Sequence, residues 1–385
     1  MLFKDLMLEE QLLKALGQKG YSNPTEIQQK SIPVILARKD ILASAQTGTG
    51  KTAAFTIPLL QLMHLDDKNT GQAKFPRLRT LILTPTRELA LQIGESIRDY
   101  KAFLTLKHTV IFGGVPQHQQ VRDLKAGIDI LVATPGRLID LLQQGLVNLQ
   151  HVEYFVLDEA DRMLDSGFLN DVKNIIRRLP LKKQTLLFSA TVPREIRDLS
   201  DKLLNNPIRV EVHPASSTAE QISQSVFYVE KHLKQTLLTD LLSDGTMDRV
   251  LVFTTMKHHA EKIAKQLARS GIRSEAIHGN KSQKQRQAAL DNFKARRVRV
   301  LIATDIVARG IDIDDLSHVI NFELPDVAET YVHRIGRTGR KGNSGTAISF
   351  CSSEEKMQLK DIQKLISRSI PVASQFVKTL RPSVN

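Results

Sequence analysis

Hydrophobic residues occur in short, nearly continuous runs that alternate with longer segments in which apolar positions recur every three or four residues. A continuous apolar run of about four to eight residues is typical of a strand buried on both faces, and the longer periodic segments are typical of helices. In the first half, the predicted strands are residues 41–45, 80–84, 109–112, 128–133, 154–157 and 185–189. Their alternation with helices predicts a parallel sheet covered on both faces.

A polar segment that contains a proline, residues 213–218, interrupts this alternation. The alternation then resumes, and the predicted strands of the second half are residues 226–229, 250–253, 274–277, 298–303, 318–322 and 346–350. We therefore predict two tandem α/β domains, residues 1–212 and 221–385, joined by a short linker at residues 213–220. Each domain is expected to be a doubly wound parallel sheet, which binds ligands at the carboxyl ends of its strands.

Composition narrows the class of protein. A chain of 385 residues is too long for one ordinary hydrophobic core. Lys and Arg number 54 against 41 Asp and Glu, and the net charge of +13 fits a polyanionic partner or, equally, a surface kept away from neutrality. The single cysteine, Cys351, excludes an intramolecular disulfide and a zinc site built from cysteines. Without a signal-peptide pattern or an apolar run of the ~18 residues that a membrane helix needs, we expect a cytoplasmic protein.

Residues 45–52, AQTGTGKT, follow the first predicted strand and open a helical segment. They match the phosphate-loop pattern G-x-x-x-x-G-K-[ST], with Ala45 in place of the first glycine. In such a loop, backbone N–H groups cradle phosphate oxygens at the helix N-terminus. Lys51 is expected to hold the β- and γ-phosphates, and the Thr52 hydroxyl is expected to hold Mg²⁺.

Three carboxylates, Asp158, Glu159 and Asp161, follow the apolar strand 154–157. Their repulsion is costly at a buried strand end unless a cation offsets it, which a Mg²⁺-nucleotide at the same sheet edge would do. Asp158 is then a metal ligand, and Glu159 orients or deprotonates the attacking water. A solvated acidic loop explains this pattern poorly. The second half has no phosphate loop, so we expect one nucleotide, bound to the first domain.

The segment HRIGRTGR, residues 333–340, carries arginines at three-residue spacing. Arg337 and Arg340 are candidates for arginine fingers, which stabilise the charge that develops on a transferred phosphoryl group. A surface cluster that binds any polyanion is the competing interpretation. Loops at predicted strand ends supply candidate contacts to a polymer backbone, although each taken alone could be a turn or a helix cap; they are Pro85-Thr86-Arg87, Gly113-Gly114, Thr134 with Arg137, His278-Gly279 and Thr304-Asp305.

The ordered motifs of the chain resemble those of the DEAD-box RNA helicases, over nearly its whole length. Residues 158–161 spell DEAD, and the other matching motifs are GYSNPTEIQ (20–28), PTRELA (85–90), TPGR (134–137), SAT (189–191), ARGID (308–312) and HRIGRTGR (333–340). The phosphate loop and the sequence DRMLDSGF look most like the bacterial RhlE-type subgroup. The resemblance implies two RecA-like domains and the cofactors ATP and Mg²⁺.

The same resemblance implies residue roles. Gln28 would read the adenine edge while Phe3 stacks on the base. Asp161 would pair with Ser189, Thr191 and His333 and so tie the ATP site to the RNA surface. The other residues implied at the nucleotide are Tyr21, Thr25, Gln46, Thr47, Gly48, Thr49, Gly50, Gly310 and Asp312. The residues implied at RNA are Pro85, Thr86, Arg87, Gly114, Thr134, Arg137, Gly279, Thr304 and Arg309.

The function expected from these patterns is an RNA-dependent ATPase that clamps single-stranded RNA across two domains and locally unwinds short duplexes. By the resemblance, ribosome assembly or RNA decay is the expected process, and the core is expected to be monomeric. A DNA-directed translocase and an ATP-gated RNA clamp with little unwinding remain alternatives. A GTPase is disfavoured because the sequence has no N-K-x-D motif for guanine.

Overall fold

The computed structural model describes residues 1–45, 48–70, 77–212, 222–243, 245–305, 316–339 and 345–373. The chain divides into two compact units, Met1–Pro214 and Ala215–Asn385. The predicted linker, residues 213–220, lies outside the described residues, so the domain limits drawn from the sequence stay predictions.

The first unit is built on a parallel sheet of seven strands in the order β3-β4-β2-β5-β6-β1-β7. The strands are β1 (Ile41–Ser44), β2 (Thr80–Leu83), β3 (His108–Ile111), β4 (Ile130–Ala133), β5 (Tyr154–Leu157), β6 (Gln184–Ser189) and β7 (Ile208–Glu211). Alternate strand residues face two separate apolar cores, one containing Phe188 and the other Leu187. Burial on both faces confirms the predicted doubly wound sheet.

Helices cover both faces of this sheet. After a 3-10 turn at Phe3–Leu6, they are α1 (Glu10–Gln18), α2 (Glu26–Leu36), α3 (Lys51–Thr70), α4 (Arg87–Tyr100), α5 (His118–Lys125), α6 (Pro135–Gln143), α7 (Ala160–Asp165), α8 (Leu169–Ile176) and α9 (Arg194–Leu203). Because successive strands run parallel, each carboxyl end opens into the loop before a helix. That edge carries the ends of β1 to β6, where most of the predicted site residues of this domain lie.

The edge strand β7 was missed by the sequence reading. Its residues are IRVE, and only Val210 of the four is buried. Three of the four β7 residues are exposed, so this strand lacks the apolar run by which the other strands of the sheet were predicted.

The second unit contains a parallel sheet of six strands in the order β10-β11-β9-β12-β13-β8. The strands are β8 (Ile222–Tyr228), β9 (Val250–Thr254), β10 (Ser274–Ile277), β11 (Val300–Thr304), β12 (His318–Asn321) and β13 (Gly345–Cys351). The helices are α10 (Lys234–Ser243), α11 (Lys257–Arg269), α12 (Gln283–Lys294), α13 (Ala328–Ile335) and α14 (Lys356–Leu365), with 3-10 turns at Lys231–Leu233 and Ser353–Glu355. The second predicted α/β domain is thus confirmed.

Strand β8 begins at Ile222, whereas the sequence predicts a start at residue 226. The first residues of the strand were missed because its buried and exposed positions alternate. Within the described ranges, the structure contains no helix with the length and apolar character required to span a bilayer.

A candidate nucleotide site and nucleic-acid interface

The phosphate loop lies between strand β1 and helix α3, as the sequence predicts. Gly48 and Gly50 have φ angles of 84° and 94°, a left-handed conformation that glycine adopts without steric cost. Lys51 is only 6% exposed, and its Nζ donates to the Ala45 carbonyl at 2.6 Å. The Lys51 ammonium group therefore binds back to Ala45, the first residue of the phosphate loop, and a phosphate oxygen could take the place of that carbonyl. Gln46 and Thr47 lie outside the described residues.

Gln28 connects the start of helix α2 to the phosphate loop. Its Oε1 accepts from the Thr25 backbone N–H at 2.9 Å, in a capping box, and its Nε2 donates to the Gly50 carbonyl at 3.1 Å. A Cβ atom at Gly50 would lie 2.4 Å from Gln28 Nε2, so this approach requires glycine. Both ends of the amide have protein partners, and adenine reading by Gln28 stays a prediction.

Phe3, assigned to the base, and Tyr21, assigned to the nucleotide, differ in exposure. Phe3 is buried in the first apolar core, and its backbone N–H donates to the Ser22 carbonyl at 3.2 Å. Stacking on a base requires one face of the Phe3 ring to be uncovered, so this role stays a prediction. Tyr21 is exposed, and its ring centroid lies 6.4 Å from that of Tyr100.

The acidic turn after β5 is buried. Asp158 is 2% exposed; its backbone N–H donates to the Leu83 carbonyl at 2.9 Å, and its Oδ1 accepts from the Glu159 N–H at 3.0 Å. Glu159 has a φ of 53°, a strained angle for a residue with a side chain. Burial raises the pKa of Asp158, the neighbouring Glu159 charge raises it further, and Lys51 opposes both effects. A cation at this position would favour the ionised carboxylate.

The side chains at this position suit a Mg²⁺ that the protein holds only in part. Among the residues that the structure describes, no three His, Cys, Asp or Glu side chains cluster as a complete metal site. Magnesium commonly takes one or two carboxylates and completes its shell with water and nucleotide phosphates. Asp158 and the half-buried Thr52, at the start of α3, are suited to such partial ligation.

Arg162 is a neighbour of the site that sequence reasoning missed. Its guanidinium forms an ion pair with the Glu159 carboxylate, and both side chains are buried. The three-residue spacing on a short helix was the available signal. Glu159 is therefore held by a cation in the structure.

Asp161 joins the acidic turn to the segment after β6. Its Oδ2 accepts from the backbone N–H groups of Ala190 (3.2 Å) and Thr191 (2.9 Å) and from the Thr191 hydroxyl (3.0 Å). Its own N–H donates to Ser189 Oγ at 3.2 Å. The structure thus brings together Asp161, Ser189 and Thr191, as the resemblance implies. His333 belongs to the second unit, and its contact with Asp161 stays a prediction.

Three of the predicted RNA-contact loops interlock at the same sheet edge. The Arg87 guanidinium packs against Gly114, where an added Cβ would lie 2.2 Å from Nη1. Arg137 Nη2 donates to the Val115 carbonyl at 2.9 Å. The two arginines are therefore positioned by one loop, residues 113–115. Thr86 also caps helix α4, since its Oγ1 accepts from Leu89 N–H at 3.3 Å.

In the second unit, Thr304 is buried at the end of β11, and Gly279 is exposed after β10. Arg337 is 5% exposed and follows helix α13. Its reach to a nucleotide stays a prediction. The other residues assigned to this unit lie outside the described residues; they are Arg309, Gly310, Asp312 and Arg340.

The two parallel-sheet domains, the phosphate loop and the buried acidic turn define a nucleotide-dependent enzyme. Comparison with known proteins narrows this class. A family model described as "DEAD/DEAH box helicase" matches residues 25–199, and one described as "Helicase conserved C-terminal domain" matches residues 233–342.

The ATP-dependent RNA helicase DbpA of Bacillus subtilis is 42% identical over 368 residues, covering 96% of this chain and 75% of that protein. The ATP-dependent RNA helicase RhlB of Pasteurella multocida is 42% identical over 382 residues, covering 98% and 89%. The structure of S. cerevisiae Dbp5 bound to RNA and ADP BeF3 matches with a TM-score of 0.82 and 31% identity, covering 96% of this chain and 95% of that chain. The chain belongs to the DEAD-box family of ATP-dependent RNA helicases, which are RNA-stimulated ATPases. Placement in the RhlE-type subgroup stays a prediction.

Proposed function

We propose that this protein closes its two domains on single-stranded RNA when ATP binds, and thereby separates short RNA duplexes locally. The observation that carries the proposal is the hydrogen-bond network of Asp161. It joins the acidic turn, beside the phosphate loop, to the SAT segment after β6 through four hydrogen bonds. A shift at either segment must break or move bonds at the other, so the network can couple nucleotide state to RNA state.

At the nucleotide, Lys51 neutralises the β- and γ-phosphates after leaving the Ala45 carbonyl. Thr52 and Asp158 would hold Mg²⁺, which supplies charge neutralisation at the phosphates when bound. Glu159 orients the attacking water and accepts its proton, for which it must be freed from Arg162. Adenine recognition is assigned to Gln28, whose amide must exchange its partners, the Thr25 N–H and the Gly50 carbonyl, for the edge of the base.

At the RNA, Arg87 and Arg137 contact backbone phosphates, with Gly114 admitting the strand close to the main chain. Such contacts carry little sequence information. Selection of RNA over DNA rests on the 2′-hydroxyl. The Dbp5 structure, whose title states bound RNA, supports RNA as the polymer. Thr304, Gly279 and Arg309 are assigned to the same strand in the second domain.

Hydrolysis then depends on the second domain. Arg337 and Arg340 stabilise charge on the γ-phosphate oxygens, while Gly310 and Asp312 contact the nucleotide. His333 pairs with Asp161. An arginine supplied by a separate domain accelerates phosphoryl transfer by about 10³- to 10⁵-fold in related systems. Because RNA favours closure, it stimulates hydrolysis, and by linkage ATP strengthens RNA binding.

The process served by this activity is proposed as ribosome assembly or RNA decay, with the protein acting as a monomer in the cytoplasm. This part of the proposal rests on the family resemblance.

The testing experiment is steady-state ATP hydrolysis by the purified chain alone, with saturating single-stranded RNA, and with single-stranded DNA of the same sequence. We expect strong stimulation by RNA and little by DNA. Lys51→Ala is the control for hydrolysis by a contaminant, since it should be inactive in every condition. Equal wild-type rates in all three conditions would refute RNA-dependent closure.

A further inference from the structure

We propose that Arg334 is the positioning residue that organises the RNA-facing loops of the second domain, rather than a third arginine finger. The inference rests on the proposed function, because it assigns Arg334 to the coupling of RNA binding with hydrolysis. Arg334 occupies the first arginine position of the HRIGRTGR segment, where sequence spacing alone gives it no separate role.

The Arg334 side chain is 1% exposed and fully engaged. Its Nε and Nη2 donate to the two carboxylate oxygens of Asp305 at 2.6 and 2.7 Å, a bidentate pair. Its Nη1 donates to Asn321 Oδ1 at 3.0 Å and to the Glu323 carbonyl at 2.7 Å. The guanidinium carbon also lies 4.9 Å from the centroid of the Phe253 ring. A guanidinium held by this many partners is unavailable to a phosphate.

These partners come from three neighbouring strands of the second sheet. Phe253 lies in β9, Asp305 follows β11, and Asn321 ends β12. Arg334 itself lies in the last turn of α13. One guanidinium therefore fixes the carboxyl edge of the central strands against the helix that leads to Arg337.

One of these contacts lies next to a proposed RNA contact, and another is linked to the turn after β9. Asp305 follows Thr304, a proposed RNA contact. Glu323, whose carbonyl binds Arg334, also accepts hydrogen bonds through its carboxylate. The donors are the Thr254 hydroxyl, the Thr255 hydroxyl and the Thr255 N–H, each at 2.7 Å. A displacement of Arg334 must therefore loosen three parts of the domain together: the end of β11 at Thr304, the turn after β9, and the end of α13 that leads to Arg337.

Lysine at this position keeps the charge but cannot form the two-pronged contact with Asp305 while also reaching Asn321 and the Glu323 carbonyl. For Arg334→Lys, we expect the RNA concentration for half-maximal ATPase stimulation to rise about tenfold and kcat at saturating RNA to fall about tenfold. The Kd for ATP in the absence of RNA should stay within about twofold of wild type, because the phosphate loop belongs to the first domain and no RNA coupling contributes.

The double variant Arg334→Met with Asp305→Leu separates positioning from stability. Replacing both members of a buried ion pair by apolar residues often restores stability, whereas removing one member is strongly destabilising. The double variant should therefore be more stable than Arg334→Met alone, although Asn321 Oδ1 and the Glu323 carbonyl still lose a donor, and it should keep the RNA and kcat defects.

Arg79→Lys is the matched control. Arg79 is also buried and paired with aspartates, at 2.8 and 3.0 Å from Asp67 and 3.1 Å from Asp129. It lies just before β2, at the amino ends of the strands of the first sheet, away from the predicted site residues. It should lower stability without changing RNA half-saturation. The proposal is overturned if Arg334→Lys matches Arg79→Lys in RNA response, or if the double variant regains wild-type RNA half-saturation and kcat. Failure of the proposed function would look different, since the wild-type chain itself would show no RNA stimulation.

Discussion

Replacement of Gly114 by alanine tests whether the loop at residues 113–115 positions an RNA-binding arginine. In the structure, Gly114 has a φ of 77°, and an added Cβ would lie 2.2 to 2.5 Å from atoms of the Arg87 guanidinium. Contacts this short cannot persist, so the Arg87 side chain must move. We expect Gly114→Ala to weaken RNA binding through Arg87 and to lower stability through backbone strain.

The two effects have different magnitudes. An L-residue in the left-handed region costs about 1 kcal/mol of folding stability. Loss of one charge-assisted hydrogen bond costs about 1.5 to 3 kcal/mol. At 1.4 kcal/mol per factor of ten, this corresponds to RNA binding weakened about 10- to 100-fold. Loss of one phosphate contact should also reduce the slope of log affinity against log salt by about 0.7.

Two glycines of the same domain serve as controls. Gly145 has a φ of 69° and nothing within 4 Å of an added Cβ, so Gly145→Ala introduces the strain without the collision. At Gly113, the nearest Arg87 atom would be 3.9 Å away, so Gly113→Ala introduces neither. RNA affinity and its salt slope can be measured by fluorescence anisotropy with labelled single-stranded RNA, and stability by denaturant unfolding.

The salt slope identifies the Arg87 contact within the expected ordering, because an added Cβ at Gly114 could also keep the strand from the main chain without changing that slope. Gly114→Ala should lose both stability and RNA affinity, Gly145→Ala only stability, and Gly113→Ala neither. If Gly114→Ala bound RNA with the affinity and salt slope of Gly145→Ala, the reasoning that Arg87 reaches RNA from its seat on Gly114 would be wrong.

Other predictions concern the nucleotide site and acid stability. Glu159→Gln should keep ATP affinity, lose hydrolysis and prolong RNA residence with ATP, as measured by RNA dissociation; normal turnover would contradict its role. Lys51→Ala should abolish ATP binding in calorimetry, and wild-type affinity would exclude the phosphate-loop assignment. Burial opposes ionisation of Glu323, but hydrogen bonds from Thr255 and Thr254 outweigh it and lower the pKa from 4.5 to about 2. Stability contributed by ionised Glu323 is therefore complete above about pH 4.5 and is lost as the pH falls toward 2. Glu323→Gln should flatten that decline in pH-dependent thermal melting, and an unchanged profile would refute the assignment.

The apolar pattern of the chain predicts the fold class and most of the strands. Central strands of a parallel sheet are buried on both faces, so Tyr154–Leu157 and Val250–Thr254 appear as continuous apolar runs that periodicity detects. Ile208–Glu211 and the first residues of Ile222–Tyr228 mix exposed with buried positions, which is why the first strand was missed and the start of the second was misplaced. The phosphate loop could also be predicted from the sequence, because its residues form one contiguous segment.

Only the tertiary structure decided how residues far apart in sequence meet. Gln28 reaches Gly50, and Arg87 rests on Gly114, because parallel strands and their crossover helices bring distant loops to one edge of the sheet. The Arg334 guanidinium likewise meets Asp305, a residue 29 positions away in the sequence. The arginines of the HRIGRTGR segment are evenly spaced in the sequence. The charges and the packing around each arginine decide whether it is buried in an ion pair or can bind a ligand.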